Sequence, residues 1–192
     1  MKNTVLVFMC LFANSVFAGP FGLDMGYQFE KLDRGKEISP NYFLVNSVPK
    51  PNRFFETYAV EATPEAGVCF IKALSNDINT SVYGEGLRSE FKKMAGMIAN
   101  KYGLPTKEVD RLTDGSIWDE PRDYMMSLKK RERTLWSMWG TSEGADLPNN
   151  IASIFLMAQA RKTNVALLTL EYQFNNGDDC EKSTAVGDSE SL

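Results

Sequence analysis

Histidine is absent from this 192-residue chain. With it go the side chain most used for proton transfer near neutral pH, the Ser-His and Cys-His nucleophile pairs, and the imidazole ligands of zinc. Cysteine is scarce, at three residues. No apolar run approaches the roughly 20 residues that a bilayer-crossing helix needs. Neither sign of charge dominates, with 21 Lys and Arg against 25 Asp and Glu, so the chain offers no overall attraction to nucleic acid or anionic lipid. A phosphate-cradling loop is missing too, because Gly84-Glu85-Gly86 lacks the further Gly and the Lys-Ser/Thr pair of such loops. What is present is 43% apolar and 11% aromatic residues, too many for a disordered chain and enough for a buried core.

The N-terminus carries the first positive signal. Lys2 precedes the apolar run from Val5 to Ala13, and Val16-Phe17-Ala18 precedes Gly19 in the manner of a cleavage site. Residues 1–18 read as a secretory signal peptide, 19–175 as an α+β domain and 176–192 as a polar C-terminal tail. The expected location is periplasmic or secreted, with no transmembrane segment in the mature chain. Cys10 invites a lipoprotein reading, but Met9 stands where that signal needs a small residue. Export leaves Cys69 and Cys180 in an oxidising compartment, where a disulfide is the expected outcome. It would close a loop of about 110 residues and stabilise the fold by about 2–4 kcal/mol. The alternative is a strand thiol at Cys69 and an unrelated exposed thiol at Cys180.

Periodicity then places the elements. Leu87, Phe91, Met94, Ala95, Ile98 and Tyr102 fall on one helical face, with Gly103 and Pro105 as the stop. Phe54 to Ala62 and Val68 to Leu74 read as strands of a hairpin around Thr63-Pro64-Glu65-Ala66-Gly67, and Ile151 to Ala160 with Val165 to Phe174 as a second hairpin. Tyr42 to Val45 reads as a strand. Short helices are expected around Phe29 to Leu32, from Thr106 through Leu112, and from Asp119-Glu120-Pro121 to about Arg133; Leu135 to Trp139 fits either a helix or a strand. The fold class is α+β, an antiparallel sheet with helices packed on one face, and the element order also allows two related halves.

Phe21-Gly22-Leu23-Asp24-Met25-Gly26, Gly67-Val68-Cys69-Phe70-Ile71, Lys101-Tyr102-Gly103-Leu104-Pro105, Trp139 and Leu170-Glu171-Tyr172 resemble segments of uncharacterised bacterial secreted proteins. The order of helices and sheet is similar to the small modules of outer-membrane assembly lipoproteins and β-lactamase inhibitor proteins. That resemblance implies a fold and a compartment; no functional residue carries over from it.

The candidate contacts are Trp118, Trp136 and Trp139, since aromatic anchors are enriched at interfaces, and the basic run Lys129, Lys130, Arg131 and Arg133, which could meet a polyanion or lipid headgroups. Core packing and a solvated helix face explain the same residues. Asp114, Asp119, Glu120 and Asp123 lie near each other beside Trp118, which leaves room for carboxylate-based hydrolysis, although acids at a helix start have the same pattern. Asp77 to Val82 begins like a calcium loop but has Val82 where the sharp turn needs Gly. No catalytic residue, metal or cofactor is assigned. The expected function is an exported non-catalytic module that binds a protein or envelope component; the alternative is a small exported hydrolase using paired carboxylates.

Overall fold

The computed structural model describes residues 19–190, so the signal-peptide reading of residues 1–18 falls outside the described residues. Nine strands form one antiparallel sheet: β1 (Arg34–Ser39), β2 (Tyr42–Val45), β3 (Phe55–Thr63), β4 (Gly67–Ser75), β5 (Ile78–Asn79), β6 (Lys107–Leu112), β7 (Arg133–Gly140), β8 (Ile151–Lys162) and β9 (Val165–Phe174). Three α-helices accompany them, α1 (Glu85–Tyr102), α2 (Tyr124–Lys129) and α3 (Gly177–Glu190). The strand order is β1-β2-β3-β4-β9-β8-β7-β6, with the short β5 also on β9. Two four-strand runs, β1 to β4 and β6 to β9, therefore approach a central β4–β9 seam from opposite edges.

Register sorts the side chains by face, because alternate residues of a strand point to opposite sides. One row runs Trp139, Ile154, Tyr172, Ile71, Val60, Phe43, and the next Ser137, Leu156, Leu170, Ala73, Tyr58, Val45. These side chains are buried. They form the inner face, on which α1 lays Leu87, Phe91, Met94, Ile98 and Tyr102. Helix α2 packs on β7 and β8. The sheet and helix are joined where Trp139 Nε1 donates to the Gly103 carbonyl at 2.8 Å, which satisfies an indole N–H that burial would otherwise orphan.

The turns explain why the hairpins form where they do. Thr63 Oγ1 accepts from the Ala66 amide at 3.0 Å, and Gly67 sits at φ +64°, where a Cβ would come within 2.5 Å of the Gly26 backbone. Only glycine meets both conditions. At the start of α1, Thr80 Oγ1 accepts from the amides of Gly86 and Leu87 at 3.1 and 3.4 Å, capping the helix from outside its own sequence.

Cys69 and Cys180 are brought to disulfide distance, with Cα atoms 6.4 Å apart. This ties α3 to the turn end of β3 and β4, and Asn176 Nδ2 reinforces the tie by donating to the carbonyls of Ala66 and Val68 at 3.1 and 3.2 Å. Within the polar C-terminal segment, residues 177–190 thus form a tethered helix.

Three helical expectations are corrected. Thr106 to Leu112 is not a helix: Lys107–Leu112 is the edge strand β6, paired with β7 from Lys107↔Met138 to Leu112↔Arg133. Thr106, expected as a helix cap, instead donates from its hydroxyl to the Met138 carbonyl at 3.0 Å and accepts from the Gly140 amide at 3.2 Å. The helix expected from Asp119 to Arg133 is confined to a 3₁₀ turn at Pro121–Asp123 and the short α2, ended by Arg131 at φ +61°. Around Phe29 a single 3₁₀ turn, Phe29–Lys31, leads into β1, and the Arg34 guanidinium lies 3.7 Å over the Phe29 ring.

Candidate binding face

The other side of the same strands has a different composition. Its first row runs Lys107, Met138, Phe155, Glu171, Lys72, Ala59, Leu44; its second Val109, Trp136, Met157, Thr169, Leu74, Thr57. Neither α1 nor α2 lies on this outer face. Trp136, Met138, Phe155 and Met157 are half-buried there, contiguous across β7 and β8. The Trp136 and Phe155 ring centroids are 5.4 Å apart, and Lys107 Nζ stands 5.6 Å from the indole, a geometry in which a cation is drawn to the ring face. At the centre of the sheet Lys72 Nζ meets Glu171 Oε1 at 2.8 Å.

The two ends of this face differ in charge. Beside Met157 a hollow of about 440 Å³ is lined by Lys129, Arg131, Arg133 and Thr134. Lys129 and Arg131 are exposed and form no ion pair among the described residues, and Lys130 follows the same pattern next to them. At the opposite end a hollow of about 360 Å³ contains Tyr42, Glu61, Phe70 and Gln173. Burial raises the Glu61 carboxyl above its usual range, and Glu181 adds to the effect. Tyr42 is pushed up to about 12, chiefly by burial and then by Glu171 and Glu61, both of which disfavour a phenolate.

The residues singled out in the sequence separate into distinct roles. Trp136 and Lys129, Arg131 belong to one end of the outer face. Trp139 does not: it is 0% exposed and part of the core, so it offers no surface contact. Trp118 is half-buried on the loop after β6, its amide donating to Ser116 Oγ at 3.1 Å; among the described residues no ring contact joins it to Trp136. Arg133 is committed internally. Its Nη1 meets Asp110 Oδ1 at 2.6 Å, its Nε donates to Ser127 Oγ at 3.3 Å, and its guanidinium lies 4.7 Å from the Tyr124 ring centroid. Met138, Phe155 and Met157 were not singled out in the sequence, because only register shows that they adjoin Trp136.

The acidic residues beside Trp118 take ordinary surface roles. Asp114 pairs with Arg111 at 3.2 Å and Glu120 with Arg122 at 2.8 Å. Asp77, the first position of the calcium-like stretch, pairs with Arg161 at 3.1 Å. Among the described residues no group of three His, Cys, Asp or Glu side chains is placed to hold a metal ion, and no helix is long and apolar enough to cross a membrane. The chain matches no family model, no curated protein and no solved structure.

Proposed function

We propose that this chain is an exported, non-catalytic binding module, periplasmic or secreted, that recognises a protein partner through the outer sheet face. The observation that carries the reading is the contiguous half-exposed strip of Trp136, Met138, Phe155 and Met157 beside Lys129 and Arg131. Aromatic and Met side chains rimmed by cations suit a protein surface that presents apolar groups flanked by carboxylates. The cysteine pair at disulfide distance supports an oxidising compartment. The sequence resemblance to secreted and outer-membrane assembly modules points to the same setting.

The test is capture from the envelope of the exporting cell with tagged wild-type protein, Trp136→Ser and Met97→Ser. Met97 is 53% exposed on the helix side, so its variant controls for general stickiness. A partner retained by wild type and Met97→Ser but lost by Trp136→Ser supports the reading. Equal retention by all three, or co-sedimentation with anionic vesicles in place of any protein partner, overturns it.

A further inference from the structure

On the opposite side of the sheet from that strip, a groove of about 590 Å³ opens between the second half of α1 and the chain's first described residues. Its volume is that of a small-molecule site. Phe55, Leu170 and Tyr172 contribute from the sheet, Met94 and Ile98 from α1, and Phe21 from the N-terminal turn. Phe21 is fixed rather than loose. Its ring meets those of Tyr58, Phe55 and Tyr172 edge-on at 4.9, 5.5 and 5.9 Å, and its carbonyl accepts from the Lys50 amide at 2.9 Å.

The polar lining is one-sided. Lys50, Arg53 and Lys101 line the groove, and no Asp or Glu does, in a chain where acids outnumber bases. None of the three cations forms an ion pair among the described residues. All three are exposed, so their charge faces the mouth of the groove, where it attracts an anion. Tyr102 and Tyr172, whose ring centroids are 6.3 Å apart, form a buried aromatic wall of the groove.

We infer that this groove binds an anionic amphiphile of the fatty-acid type, its carboxylate held by Lys50, Arg53 and Lys101, its apolar body lying on Met94, Ile98 and Phe55. The cations supply charge-assisted hydrogen bonds to the head. Met94, together with Met97 at the rim, gives a wall that adapts to tails of different shape. The inference stands apart from the binding face, with which the groove shares no residue.

Calorimetric titration of the purified protein with decanoate, decanol and decyltrimethylammonium tests it. Decanoate binds saturably at one site, about tenfold or more tighter than decanol, and the cation does not bind. Lys101→Gln and Arg53→Gln each weaken decanoate binding about 3- to 10-fold, whereas Lys92→Gln, elsewhere on α1, and Trp136→Ser leave it unchanged. Absence of saturable decanoate binding overturns the inference, as does equal binding of all three probes. Binding to anionic vesicles without binding of free decanoate overturns it too, since that traces the affinity to membrane charge rather than to the groove.

Discussion

The two faces of the sheet are made by the same strands, yet they have opposite fates. The inner rows are filled with Trp139, Ile154, Tyr172 and Ile71 and are sealed by α1 and α2. The outer rows place Trp136, Phe155 and Met157 beside Lys72 and Glu171, all half-exposed, with Thr169 and Ala59 buried among them. Strand β7 shows the contrast within five residues. Leu135, Ser137 and Trp139 are buried, whereas Trp136 and Met138 between them are not. Tryptophan in a strand is therefore uninformative by itself. The side of the pleat decides whether it stabilises the fold or remains available to something else.

The largest test of this contrast is Trp139→Ala against Trp136→Ala in urea denaturation. The first empties a fully buried site and strands the Gly103 carbonyl, for an expected loss of about 3–5 kcal/mol; the second costs about 1 kcal/mol. Equal losses would abolish the distinction between the faces. Next comes the tether. Cys180→Ser lowers stability by about 2–4 kcal/mol, with Cys69→Ser giving the same result. Thiol titration of unreduced, denatured mature protein finds no free thiol, and two reactive thiols would refute the bridge.

A smaller effect is expected at Arg133, whose partners lie at the margin of the inner face. Arg133→Gln breaks the pair with Asp110, and the two side chains are 20% and 39% exposed. Solvent screening limits the expected loss to about 1 kcal/mol, read as a lower urea midpoint that narrows in high salt. The smallest concerns Tyr42 on the outer face. Its folded value, pushed up to about 12, lies above the ordinary 10.0, so the neutral phenol's contribution is intact below the unfolded value and is lost as pH rises through the folded one. Phenolate absorbance titration should show several tyrosines lagging the ordinary range, Tyr58, Tyr124 and Tyr172 among them, and Tyr42→Phe removes one from that set. An unchanged lagging amplitude in the variant would contradict the shift at Tyr42.

How much of this was legible in the sequence depended on whether local pattern or pairing decides the structure. Helix α1 and the β3–β4 and β8–β9 hairpins were legible, because six apolar residues at helical spacing and two alternating runs with turn residues between them leave few other solutions. The approach of Cys69 and Cys180 was the favoured of two readings, which the spacing alone left open. Strand β6 was not legible: Lys-Glu-Val-Asp-Arg-Leu is a polar edge segment with capping residues, and only its ladder with β7 makes it a strand. Tertiary pairing overrode propensity there. Helix α3 was hidden for a related reason, as its polar composition gave no stripe and its position is set by Cys180 and Asn176. Of the candidate contacts, Trp136 could be named but not placed. Its neighbours Phe155 and Met157 are some twenty residues away and meet it only through register.

The β4–β9 seam fixes an order of events during biogenesis. Strand β4 borders residues made about a hundred positions later, the Ser75 hydroxyl waits for the Leu168 amide across a separation of 93, and Cys69 waits for Cys180 across 111. A chain delivered from its N-terminus must therefore keep half a sheet with one raw margin, and one lone thiol, until nearly all of it has emerged.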